Sequence, residues 1–271
     1  MYASLLVASG HLRLRRLNSG DSAKYLQIIA HRGASALAPE NTLASVELAW
    51  HLGADAVEVD VRLTRDGRIV AIHDETTDRT AGTHLEVAAT DSSQLRLLDV
   101  GRHKHSKFAG ARIPYLEEVF QTVPPGRQLF VEIKCGPEIL PPLLEIIANS
   151  GKRPQVVIIG FDLATVTAAK TVLPDVPAHW LCDKRVFASY DRSIVEQAKA
   201  GGVDGLDVHW TGVTRRFIQA VKAAGLRVYI WTVDDPVQAL RLRAMGADGI
   251  TTNHPGRLRR RTQPPDVCPE R

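Results

Sequence analysis

The stretch "AVEVDVRLTRDGRIVAIH", residues 56–73, decides the fold. It contains two β-branched runs, 56–61 and 69–73, with only "TRDGR" between them. Asp66-Gly67 is a hairpin-type pair, and the gap is far too short for a crossover helix. The second run is therefore an extension after the first, not a separate unit of a parallel sheet.

Seven more short runs follow the same apolar, β-rich pattern: 27–31, 129–133, 156–161, 178–182, 205–209, 227–233 and 249–252. Helical patterns separate most of them, as in "NTLASVELAWHLG", where Leu43, Val46 and Trp50 share one face and Gly53 stops the helix. Alternation of this kind predicts βαβ units. With 69–73 set aside, eight units remain, which predicts an α/β fold of the (β/α)8 TIM-barrel type with a small insertion after the second strand. An open doubly wound sheet is the runner-up, but no glycine-rich nucleotide fingerprint follows the first strand.

Residues 74–112 break the rhythm. They are polar and hold no clear βα unit, so a lid or small subdomain is expected there, with the barrel resuming at a helix over 113–123. The expected organisation is an N-terminal extension over 1–26, a barrel domain over 27–255 and a basic, flexible tail over 256–271.

The formal charge of +4 resides in the two termini, and the body between them is slightly acidic. A nucleic-acid surface is not a property of such a core. No stretch approaches the roughly 18 apolar residues of a membrane span. The first residues place their apolar part ahead of their arginines, the reverse of a secretory signal. Three scattered cysteines lack metal-type spacing and read as reduced thiols. A cytoplasmic protein acting on a small molecule is expected, its oligomeric state left open.

Barrel enzymes carry their chemistry at the C-terminal strand ends. The first strand ends in His31-Arg32. The second holds Glu58-Val59-Asp60, whose spacing puts both carboxylates on one face, and the third holds Glu132-Ile133-Lys134. Glu58, Asp60 and Glu132 make an all-oxygen set suited to one divalent cation, Mg²⁺ or Ca²⁺. Salt bridges at the barrel rim are the alternative reading of such pairs. His31 and His73 are candidates for acid and base, and Arg32 and Lys134 are cationic donors suited to a phosphate. Together these residues point to metal-assisted phosphoester chemistry.

From Ile28 to Pro255 the ordered motifs HRG, PENT, GAD-x-x-E-x-D, T-x-DG, HD, DRT, VEIK, WTVDDP and GADGITTN-x-P resemble the glycerophosphodiester phosphodiesterase family. The resemblance implies hydrolysis of glycerophosphodiesters to glycerol 3-phosphate and an alcohol. It implies His31 and His73 as the acid/base pair, Glu58, Asp60 and Glu132 as cation ligands, Arg32 and Lys134 at the phosphate, and Trp231 on the glycerol side. The chain departs from the family pattern at Gly160-Phe161, where Ser-Phe is usual, at "AGTHLEV" after DRT, and at Asn253, where aspartate is usual. In PENT, Asn41 is an expected N-cap for the first helix, while Glu40 either orients the site or complements the helix dipole.

Rival readings use the same residues differently. A lysophospholipase D-like enzyme would cut a substrate bearing a fatty chain, and an apolar lid would favour it. A non-catalytic phosphodiester-binding barrel would lack a metal carboxylate or histidine. A sugar-phosphate isomerase or aldolase would turn over without metal or through a Schiff-base lysine.

Overall fold

The computed structural model describes residues 25–183 and 190–262. Most of the expected N-terminal extension, and residues 263–271 of the expected tail, lie outside the described residues.

Nine strands form one sheet: β1 (Gln27–Ala30), β2 (Ala56–Leu63), β3 (Ile69–Ala71), β4 (Gln128–Ile133), β5 (Val156–Gly160), β6 (Ala178–Cys182), β7 (Gly205–His209), β8 (Arg227–Trp231) and β9 (Gly249–Thr252). Their order is β1-β9-β8-β7-β6-β5-β4-β2-β3, and an additional β1–β2 pairing closes eight of them into a parallel barrel. β3 pairs antiparallel with β2 through Val61↔Ala71 to Leu63↔Ile69 and stays outside the ring. The hairpin at Asp66-Gly67 thus does what its length requires.

Among the described residues ten helices accompany the strands: α1 (Leu43–His51), α2 (Asp78–Ala81), α3 (Ser92–Leu95), α4 (Leu116–Thr122), α5 (Leu140–Ser150), α6 (Leu163–Val172), α7 (Arg192–Ala200), α8 (Arg215–Ala223), α9 (Pro236–Met245) and α10 (Pro255–Thr262). Side-chain oxygens of Asp162, Asp191, Thr214 and Asp235 cap α6 to α9 by accepting first-turn amides. Asp162, Thr214 and Asp235 each end a loop that follows a strand, so the cap position fixes where the chain turns back down the barrel.

Side-chain alternation sorts each strand. In β2 and β4, Val57, Val59, Val61, Leu129, Val131 and Ile133 face outward into the core beneath the helices. Ala56 and Phe130 face inward and join Ile29, Val157, Ile159, Leu181 and Tyr229 in a second apolar cluster inside the barrel. The inward carboxylates of β2 and β4 share that inner face.

The small insertion expected after the second strand is present. It holds α2 and α3, and its residues Val87, Leu95 and Val100 pack on Val70, Ile72 and Ile113 in a core of their own. The tail expectation needs correction: Pro255–Thr262 is helical, with Leu258 fully buried. The arginine-rich run is amphipathic, and its single leucine anchors it to the barrel. No helix among the described residues is long and apolar enough to cross a membrane.

Candidate active site

The first strand hands over to the site through a strained turn. Arg32 adopts φ 53° and Gly33 φ 78°. A Cβ on Gly33 would lie 2.5 Å from the Ser45 carbonyl carbon, so this close approach of the loop to α1 requires glycine. The turn aims the Arg32 amide at Glu58 Oε2, 2.8 Å away, and the guanidinium at Glu40 and Asp60.

Glu58, Asp60 and Glu132 converge as the alternation predicts. Asp60 and Glu132 are register partners on β2 and β4. One ligand oxygen from each of the three buried residues lies within 4.8 Å of the others. Arg32 Nε stands 3.0 Å from Asp60 Oδ2, while Lys134 Nζ donates to Glu132 Oε1 at 2.7 Å and stands 3.7 Å from Asp60 Oδ1. The rim salt-bridge reading and the cation reading are thus both drawn from the same cluster. Two observations favour a cation. Glu58 Oε1 and Asp60 Oδ1 are buried without a hydrogen-bond partner. Burial, with Asp60 and Glu132 adding repulsion, pushes Glu58 well above the ordinary carboxylate range, and burial with Asp60 raises Glu132 to about 7. Burial opposes Asp60 as well, yet Arg32 and Lys134 hold it below its usual value. Three carboxylates against two cationic side chains leave the cluster short of positive charge, and an all-oxygen donor set fits a hard divalent ion.

Asn41 serves here and not as the helix cap. Thr42 caps α1, its side chain accepting from the Ser45 amide, because Asn41 sits at φ 56° with its side chain turned inward. The Asn41 amide clamps Asp60 from both sides: Nδ2 donates to Oδ2 at 2.8 Å, and Oδ1 accepts from the Asp60 backbone N–H at 3.1 Å. Asparagine tolerates the left-handed backbone that this inward turn demands.

His31 and His73 both line one cavity of about 480 Å³ with Arg32, Glu58, Glu132, Lys134 and Trp231. His31 Nδ1 is 2.8 Å from Asn253 Oδ1. The Asn253 amide nitrogen donates to Asp234 Oδ2 at 2.8 Å, and a carboxylate can only accept. The amide oxygen must therefore face His31, so Nδ1 carries the proton and Nε2 is left with its lone pair. Burial, then Arg32, lowers the His31 pKa below the usual histidine value, favouring this neutral form.

His73 Nδ1 is 2.6 Å from Asp74 Oδ1, and Arg79 Nε donates to the other Asp74 oxygen at 2.6 Å. Arg79 also donates to both oxygens of Glu40, which in turn holds Arg32. Burial works against the Glu40 carboxylate, but Arg79 and Arg32 hold its pKa at about 2. A chain of alternating charge therefore runs from His73 through the insertion to Arg32. Burial lowers His73 too, opposed by Asp60 and Asp74.

Trp231 closes the far wall, its ring edge-on to Phe161 with centroids 5.6 Å apart and its Nε1 donating to the Asp207 carbonyl at 3.1 Å. The Gly160 departure lies on the outer face: a Cβ there would meet Val166 Cγ2 at 3.1 Å, away from the cavity. All eight residues singled out from the sequence meet in this region. The sequence assigned no role to Asp74, Arg79 and Asp207, and marked Asn253 only as a departure from the family pattern. Asp74 and Arg79 were within reach, since HD and DRT open the insertion, and Asn253 stands in the GADGITTN-x-P motif; Asp207 carries no local signal.

Over most of its length the chain is similar to known proteins. A model of the Glycerophosphoryl diester phosphodiesterase family matches residues 31–257. A Caldanaerobacter subterraneus subsp. tengcongensis protein named glycerophosphodiester phosphodiesterase is 33% identical over 238 residues, covering 85% of this chain and 95% of that one. A phosphodiesterase from Oleispira antarctica, solved in complex with the product sn-glycerol-3-phosphate, superposes with a TM-score of 0.80 at 28% identity, over 86% of this chain and 95% of its own. A glycerophosphodiester phosphodiesterase from Thermotoga maritima gives 0.73 at 26% identity, over 87% and 98%.

Proposed function

The chain belongs to the glycerophosphodiester phosphodiesterase family, and from that premise we propose that it hydrolyses glycerophosphodiesters to glycerol 3-phosphate and an alcohol by metal-assisted histidine acid/base catalysis. The observation that carries the reading is the meeting of three buried carboxylates, two with orphaned oxygens, and two histidines around one cavity.

Glu58, Asp60 and Glu132 would hold one divalent cation, Mg²⁺ or Ca²⁺. When bound, it supplies positive charge against the phosphoryl oxygens as the bond to the leaving group breaks. Arg32 and Lys134, held in place by Asp60, Glu40 and Glu132, bind the phosphate from the protein side. His31 is the base. Its Nδ1–H is committed to Asn253, so Nε2 takes the proton of the nucleophile. His73 is the acid. Asp74 accepts its Nδ1–H and, against the burial that lowers its pKa, steadies the imidazolium whose Nε2–H protonates the leaving alkoxide. Trp231 packs against the carbons of the glycerol. His31 and His73 both remain, with every carboxylate of the cluster, which disfavours a barrel that binds without cutting.

Release of glycerol 3-phosphate from a panel of glycerophosphodiesters, after EDTA and again after Mg²⁺ or Ca²⁺ is restored, tests the reading. Activity lost to EDTA and regained with the ion supports it; undiminished turnover in EDTA overturns the metal assignment.

A further inference from the structure

Away from the cation cluster the cavity is lined by Ile159, Phe161, Leu181 and Trp231 and by two buried aspartates, Asp183 and Asp207. Asp207 lies on the inner face of β7, its side chain 2% exposed, and lines the cavity beside Trp231 and Leu181. One carboxylate oxygen stands 3.1 Å from His179 Nδ1. The other makes no hydrogen bond to any described residue. His179 cannot swing away from its partner, because its ring stacks on Tyr229 at 5.1 Å and meets Phe130 edge-on at 6.0 Å. The carboxylate is therefore held in place by His179, and its second oxygen is available to accept a hydrogen bond from a ligand in the cavity.

We propose that Asp207 accepts a hydrogen bond from the terminal hydroxyl of the substrate's glycerol, and so selects unacylated glycerophosphodiesters over lysophospholipids. This rests on the reaction proposed above. The phosphate end of the substrate is drawn to Arg32 and Lys134 on the β1, β2 and β4 side. The glycerol carbons then lie along Trp231, and the group that reaches Asp207 is the hydroxyl farthest from the phosphate. An acyl ester at that hydroxyl has no proton to donate, and it would bury the carboxylate unpaired. A site built around a buried hydrogen bond rejects an analogue lacking it more strongly than an apolar pocket rejects a size change.

The test compares glycerophosphoethanolamine with its analogue in which the terminal CH₂OH is CH₃, and with a 1-acyl lysophosphatidylethanolamine, in the presence of Mg²⁺ or Ca²⁺. The native protein should favour the glycerol substrate over the methyl analogue by roughly 10- to 100-fold in kcat/KM. In Asp207→Ala that ratio should fall to near one, and in Asp207→Asn several-fold, because a neutral acceptor binds a hydroxyl less tightly. A ratio unchanged in folded variants overturns the proposal, as does an equal loss on every substrate, which marks a structural role. If Asp207→Ala does not fold, the Asp207→Asn ratio decides. A loss seen only with ethanolamine-bearing substrates, and absent with glycerophosphopropanol, places the leaving group at Asp207 and also overturns it. Should the native protein cleave neither diester, the reaction reading fails separately, and titration with sn-glycerol 3-phosphate against propane-1,2-diol 1-phosphate yields the same ratio from binding.

Discussion

Asn253 Oδ1 lies 2.8 Å from His31 Nδ1, a contact that spans 222 residues of sequence. Three donors, the Asn253 amide N–H, its side-chain Nδ2 and the Thr252 hydroxyl, converge on Asp234 and fix the orientation of that amide. Ser35 Oγ donates to the same amide oxygen at 2.9 Å. The tautomer of His31 is thus set by a network that contains no metal ligand.

Converting that amide to a carboxylate should change the pH dependence. In Asn253→Asp, negative charge beside Nδ1 stabilises the imidazolium and raises the His31 pKa. The base then stays protonated to higher pH, so the acid limb of the kcat/KM profile should move upward. In Asn253→Ala the ring loses its anchor, and kcat should fall with no comparable change in KM.

The two histidines are expected to be individually indispensable. His31→Ala and His73→Ala should each lower kcat/KM by roughly 10²–10⁴ while circular dichroism and thermal midpoint stay close to native. Near-normal turnover in either variant removes that residue from the mechanism.

Asp60 is the hub of the charge cluster, facing Arg32, Lys134 and Asn41. Replacing it with asparagine removes the counter-charge of two cations at once. Asp60→Asn should lose about 3 kcal/mol or more of stability, as when one partner of a buried pair is deleted, and should bind Mg²⁺ or Ca²⁺ far more weakly by calorimetry. In the native protein, added ion should raise the thermal midpoint, since it binds only the assembled carboxylates.

Glu40 links the insertion to the barrel, and its pKa gives the link a pH signature. The folded-state value of about 2 lies below the ordinary 4.5. Its contribution is therefore present above about pH 4.5 and disappears as pH falls toward 2. The difference in thermal midpoint between native protein and Glu40→Gln should be constant near neutrality and shrink through that window. A difference independent of pH rules out the ion pairs with Arg79 and Arg32 as its source.

Gly33→Ala should fold poorly or not at all. The new Cβ must sit 2.5 Å from backbone of Ser45, in a φ region that alanine resists. Urea titration should show a lower midpoint than native. Gly67→Ala serves as the control, because Gly67 has positive φ but nothing within 4 Å of the added carbon.

The sequence by itself determined what local periodicity can carry. Alternation placed Glu58, Asp60 and Glu132 on the inner face, and the short "TRDGR" link took β3 out of the barrel. Adjacent motifs located His31, Arg32, His73 and Lys134. It misjudged Asn41, because a cap and an inward clamp look alike until φ is known, and it misjudged 256–262, because a basic run gives no sign of the one leucine that anchors it.

Only the tertiary structure decided which distant groups became partners. Barrel closure lays β1 beside β9, in register from Gln27↔Gly249 to Ala30↔Thr252, and this brings Asn253 to His31. The parallel pairing of β6 with β7 sets His179 next to Asp207, and the fold of the insertion carries Arg79 to Glu40. These contacts depend on strand order and register across the whole ring. Those are global properties of packing, and no window of sequence contains them.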